Sequence, residues 1–226
     1  MVEQSGPALH SRYPSGRIAR APRGSQHMRF LWAVVLLLAS SPSALAGERF
    51  DALATGAERL DALEPFLTRY VGHCTDVYTR ATCEANVLAS RRALSGKTFT
   101  VRVTDAATLV RAELQGDGFV LLVTPFVDGG GLALTHGTPA RQDAAGNPLM
   151  NLIPIRGKLP PGVMDLEFQG PFRTGAIELE IVFRPEKSWK LRRRGEGGMM
   201  EGVAARFMAI RVVDARTGNE IASRVL

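Results

Sequence analysis

Thr98-Phe-Thr-Val-Arg-Val103 and Val110-Arg-Ala-Glu-Leu114 carry an apolar side chain at every second position. That is the period of a half-buried strand, whose successive side chains point to opposite faces. The alternation, punctuated by glycine and proline turns, continues to the C-terminus. Residues 97–226 therefore read as an antiparallel β domain of about nine strands, a β-sandwich or an open β-barrel. Phe119 to Val127 is apolar on both faces and reads as a central strand, and Asp128-Gly129-Gly130-Gly131 reads as the turn after it. Further strands are expected at 132–136, 149–155, 163–168, 176–184, 189–194, 203–213 and 220–225.

One hairpin has a definite register. If the chain reverses at Pro185-Glu186-Lys187, Phe183 lies opposite Trp189, Ile181 opposite Leu191, Glu180 opposite Arg192 and Glu178 opposite Arg194. The basic run of Lys190, Arg192, Arg193 and Arg194 is then partly neutralised across the ladder. Lys190 and Arg193 are the less obviously paired members of a candidate anion-binding patch.

Upstream, the period changes to helical. Phe50, Leu53, Ala57, Leu60, Leu63 and Leu67 recur at three- and four-residue spacing, so Glu48 to Tyr70 reads as a helix that Pro65 kinks or divides. A second helical run spans Ala81 to Leu94, and residues 47–96 together read as a helical hairpin packed on the β domain. Cys74 and Cys83 are the two cysteines of the whole chain and fall at the turn of this hairpin. On one straight helix they would be about 13.5 Å apart, beyond the roughly 7 Å limit for bridged Cα atoms, so the chain turns between them if they are joined. A disulfide is the expected state of an isolated pair in an exported protein. The spacing does not suit a metal site with His73, nor a Cys-x-x-Cys redox pair.

Export is read from residues 28–46, where Arg29 precedes an apolar run from Phe30 to Ala39, a Ser41-Pro42 break and Ala44-Leu45-Ala46. This is the layout of a signal peptide cut after Ala46, and ten apolar residues rise only about 15 Å, too little for a permanent membrane anchor. Residues 1–27, rich in proline and glycine, read as a misassigned start ahead of Met28 or a disordered extension. Residues 1–46 also carry most of the net positive charge. Residues 1–46 hold five Arg and one Glu, whereas residues 47–226 hold 23 Lys plus Arg against 21 Asp plus Glu, so affinity for nucleic acid is not expected.

Motifs for chemistry are few. No Ser lies in a Gly-x-Ser-x-Gly elbow, and no sequence pattern asks for a cofactor or metal. His136 reads as a surface or satisfied residue at a strand end. Asp165 with Glu167 and Glu178 with Glu180 read as solvated strand faces, and Gly195 to Met200 as a flexible loop with two methionines. The sequence favours a non-catalytic secreted or periplasmic module that binds a protein or envelope component. A carrier of an apolar, lipid-like ligand in an open barrel is the alternative, with strands 119–127 and 149–155 lining the cavity, and an enzyme of unrecognised type is the third. Intact mass of the exported protein is expected to place its first residue at Gly47; a membrane-bound form retaining Phe30 to Ala39 would overturn both the cut and the charge assignment.

Overall fold

The computed structural model describes residues 42–144, 146–159, 161–193 and 198–226. The regions read as an N-terminal extension (1–27) and most of the leader (28–46) lie outside the described residues. Helix α1 (Pro42–Thr55) leads into strand β1 (Glu58–Leu60), helices α2 (Leu63–Val71) and α3 (Arg80–Leu94), and strand β2 (Phe99–Val103). Strands β3 (Val110–Gln115), β4 (Gly118–Val123), β5 (Phe126–Asp128), β6 (Leu132–His136), β7 (Arg141–Gln142), β8 (Pro148–Leu149) and β9 (Ile153–Lys158) follow. Helix α4 (Asp165–Thr174) precedes the last three strands, β10 (Ile177–Arg192), β11 (Met199–Asp214) and β12 (Glu220–Val225).

The protein is α+β, with four α-helices among the described residues and a seven-stranded mixed sheet in the order β1-β2-β10-β11-β6-β5, β12 also pairing with β11. A second sheet runs β3-β4-β9. The expectation of a wholly antiparallel domain is corrected at two places, since β1 runs parallel to β2 and β6 parallel to β11. Both pairs are closed by long crossovers, which parallel strands require and which no local turn signal announces.

The single helix expected over 48–70 is instead α1, β1 and α2. Pro65 stands in the first turn of α2, where its missing N–H has no intrahelical partner to lose, so it helps start a helix rather than kink one. The strand expected at 163–168 is replaced by α4. Asp165 and Glu167 lie in its first turn, favourable to the helix dipole, and Gly175 ends it at φ 76° with its N–H donated to the Pro171 carbonyl.

The reversal expected at Pro185-Glu186-Lys187 does not occur. β10 runs straight through it for 16 residues, and its return partner is β11, which sets Phe183 opposite Phe207 and Trp189 opposite Gly202. At the far ends of the two strands the Arg193 N–H donates to the Gly198 carbonyl at 2.9 Å. Two register shifts, at Val182/Phe183 and Pro185/Lys187, accommodate the proline. Gly202 is fixed by this packing: a Cβ there would lie 2.2 Å from the Ala133 carbonyl oxygen and 2.7 Å from the Trp189 ring. The Trp189 indole N–H donates to Thr135 Oγ1 at 3.0 Å, and that hydroxyl donates to the Gly137 carbonyl at 2.7 Å, so both buried polar groups are satisfied.

One hydrophobic cluster contains Leu67 of α2, Phe99 of β2, Phe183 of β10 and Phe207 of β11 together with Leu121 and Ile155 of the second sheet. The segment read as a helical hairpin packed on the β domain, 47–96, shares a sheet with 97–226 through β1 and a core through α2. On the other face of the large sheet α1 lays Phe50 against Val182 and Ala209.

Arg211 of β11 anchors α1 there. Its guanidinium stacks 4.1 Å over the Phe50 ring, bonds Asp51 of α1, and reaches Glu180 of β10 at 3.3 Å and Glu220 of β12 at 2.9 Å. Arg102 of β2 completes the network with Glu178 at 2.8 Å and Glu180 at 3.6 Å. Glu178 and Glu180, expected on a solvated face and opposite Arg194 and Arg192, are thus partly covered and paired with different arginines. The Arg211 side chain is only 16% exposed, so removing it leaves Glu220 without its cation and Glu180 with only the longer Arg102 contact, while Asp51, 64% exposed, keeps its water. Arg211→Met is expected to cost about 3 kcal/mol in urea unfolding. Arg211→Lys is expected to recover only part, because an ammonium on a flexible stem does not reproduce the planar fork.

Candidate interaction site

The two cysteines are joined, with Cα atoms 5.6 Å apart, and they tie the end of α2 to the first turn of α3. His73 beside them is exposed, and the bonded sulfurs leave no thiolate for a metal. Two further contacts hold α3. A Cβ on Gly72, which sits at φ 72°, would meet Val87 of α3 at 2.3 Å, so the chain passes there as glycine. Arg91 of α3 donates from Nε to the Tyr70 carbonyl at 2.7 Å and from Nη2 to the Val71 carbonyl at 3.0 Å, satisfying the acceptors that a helix C-terminus leaves open. The same guanidinium lies 5.7 Å from the Tyr70 ring centroid. Burial raises the Tyr70 pKa, and the positive charge of Arg91 partly offsets this.

Between the cysteines the loop is closed on itself. Asp76 accepts the Tyr78 N–H at 2.8 Å on one carboxylate oxygen and the Thr79 hydroxyl at 3.2 Å on the other. This Asx turn leaves Val77 75% exposed and Tyr78 98% exposed. Leu88, further along α3, is 49% exposed, and only Leu94 of that helix is buried. Two neighbouring large apolar side chains are thus held in water on a covalently braced loop. The sequence located the cysteines but offered no periodic signal for Val77 and Tyr78, because a turn has no face to count.

The candidate anion patch does not assemble as expected. Lys190, read as one of the less obviously paired charges, is ion-paired with Glu201 of β11 at 2.8 Å. Arg192 is exposed and its carbonyl accepts from Gln142 Nε2 at 2.7 Å, Arg193 donates its backbone N–H to the Gly198 carbonyl, and Arg194 lies outside the described residues. Of the two strands expected to line a cavity, Leu121, Val123, Ile153 and Ile155 fill the core between the sheets, and Phe119 and Val120 meet a surface groove. This groove of about 380 Å³, open to solvent, lies at the seam between β4, β9 and β12, with Phe119 and Ile221 beside Arg156 and Lys158. Met200 packs against the Trp189 cluster while Met199 is exposed. Asp128 accepts the Gly131 N–H at 3.1 Å in the turn between β5 and β6.

An α+β protein with a stapled helical pair and an exposed apolar loop is the class these observations define. Residues 27–224 match a family described as a family of unknown function (DUF6066), and the chain belongs to that family. No curated protein and no solved structure matches the chain. Among the described residues no helix is long and apolar enough to cross a membrane.

His136 is half-buried, and its Nδ1 accepts the Phe207 backbone N–H at 3.0 Å. The proton of the neutral ring therefore sits on Nε2. Burial lowers its pKa, Glu186 draws it up and Arg206 pushes it down. A folded-state pKa below the unfolded value means that the stability it contributes is present above about pH 6.5 and is lost as pH falls through the folded value. Asp214, held low by its hydrogen bonds from Arg216, adds its own loss only in the more acidic carboxylate range. Urea midpoints are expected to fall between about pH 7.5 and pH 5.5 in the native protein and to change much less in His136→Asn, whose amide oxygen keeps the Phe207 bond without titrating.

Proposed function

We propose that this chain is an exported, non-catalytic binding module of the cell envelope or exterior, and that the disulfide-stapled α2–α3 unit is its contact region for a protein or envelope component. The observation that carries the reading is the pair Val77 and Tyr78, held in solvent by the Cys74–Cys83 bridge and the Asp76 turn. Pre-organisation of this kind removes much of the entropic cost of docking, and tyrosine is enriched among the residues that dominate interfaces. Export is supported by the leader layout of residues 28–46 and by the disulfide, which suits an oxidising compartment.

The finer architecture belongs to the same reading: a stapled helical hairpin on a sandwich or open barrel. The core shared by the two sheets supports it. So does the seam, where the Arg224 side chain donates to the Pro154 carbonyl between β12 and β9 without a strand ladder. A carrier of an apolar ligand is the second reading, favoured by the groove at that seam. A retained mass in native mass spectrometry of protein from its own host would support it.

Photo-reactive side chains placed at position 78 and, as a control, at exposed Asp165 on α4 test the contact region in living cells. A defined adduct is expected from position 78 and not from 165. Equal labelling at both positions, or none at 78, would sink the reading.

A further inference from the structure

Resting on the assignment of the stapled loop as the contact region, we propose that its partner is an anionic phospholipid surface, with Val77 and Tyr78 entering the interface and arginines of α2 and α3 meeting the headgroups. The shape is the first argument. Val77 and Tyr78 are adjacent, almost without contacts and carried on a loop tied at both ends, so they form a convex apolar point. A bilayer interface receives any such point, whereas a protein must supply a matching hollow. Tyrosine suits this depth, since its ring is apolar and its hydroxyl remains with the headgroups.

Charge is the second argument. Residues 69–92 contain Arg69, Arg80, Arg91 and Arg92 against Asp76 and Glu84. Arg91 is engaged with the α2 carbonyls, and both carboxylate oxygens of Asp76 accept hydrogen bonds inside the loop. Arg69, Arg80 and Arg92 are exposed, and none forms an ion pair among the described residues. Arg80, Glu84, Leu88 and Arg92 follow one another at four-residue spacing on α3 and so share a helix face, on which two arginines outnumber one carboxylate. From the start of α3 to Leu88 is about 12 Å, giving a strip that begins at the apolar tip and ends on an arginine. This combination of apolar side chains and unpaired cations is complementary to a negatively charged lipid surface and to little that is neutral.

The test uses the oxidised protein beginning at Gly47 and vesicles of phosphatidylcholine, alone or with about one-third phosphatidylglycerol. Sedimentation is expected only with the anionic vesicles and is expected to weaken as salt rises. Val77→Ser with Tyr78→Ser is expected to weaken it by about tenfold. Arg80→Gln and Arg92→Gln are each expected to cost roughly fivefold and to flatten the salt dependence. Tyr78→Trp, read against buried Trp189, is expected to shift its emission to the blue on anionic vesicles alone. These are surface positions, and circular dichroism confirms that each variant is folded.

No sedimentation at low salt, or sedimentation that ignores the loop and arginine substitutions, overturns the lipid assignment. If vesicles fail while the photo-reactive group at 78 joins one protein in cells, the lipid assignment falls and the contact region stands. If both fail, the contact region falls with it.

Discussion

The ladder between β10 and β11 is the constraint on which the other elements depend. Each strand is 16 residues long, and β2, β6 and β12 all pair on their outer edges. Two irregularities decide what the ladder presents. Met208 is the extra residue on β11 and Glu186 the extra residue on β10, and each reverses the parity of its strand beyond that point. Before Glu186 the odd residues of β10 enter the core between the sheets, as Ile181 and Phe183 do. After it Trp189 joins Ala133 and Ala204 in a separate cluster. The irregularity is what lets odd residues of one strand, Phe183 and Trp189, serve clusters on opposite faces.

That parity change also explains where sequence reading succeeded and failed. Period-two alternation found β2, and the flanking turns bounded β6 and β12, although β6 is buried on both faces and Val225 of β12 is exposed. The same reasoning placed Phe183 and Trp189 on one face and made Pro185 a turn. It assumes that parity is conserved, and a bulge is the one local event that breaks it without polar residues to announce it. Strand β1 was missed for a different reason, since three residues are too few to show any period. At the candidate site the disulfide was legible from compartment and count. The exposure of Tyr78 was not, since it depends on the Asp76 turn and on what does not pack against it.

Two arginines show how one side chain serves opposite purposes. Arg211 is surrounded by carboxylates from three elements and fastens α1 to the sheet, so its worth lies in neutralising charges that the fold has brought together. Arg91 meets no carboxylate among the described residues; it meets the carbonyl end of α2 and so turns an unsatisfied helix terminus into the seat of α3. The first organises the rigid body and the second holds out the part that reaches away from it. A change at Arg211 is felt as stability, whereas a change at Arg91 is felt as the orientation of the loop.

The position of β11 in the chain sets the order in which the protein can be assembled. Its parallel partner β6 precedes it by more than sixty residues, and its other partners are the strands immediately before and after it. The parts β1-β2-β10 and β5-β6 can each pair without it, but nothing joins them into one sheet until residues 199–214 have arrived. Contacts this distant in sequence are slow to form, because loop closure must precede any gain from burial. A polypeptide emerging from synthesis therefore holds the two halves of its large sheet apart until β11 is available, and only then can the core they share close.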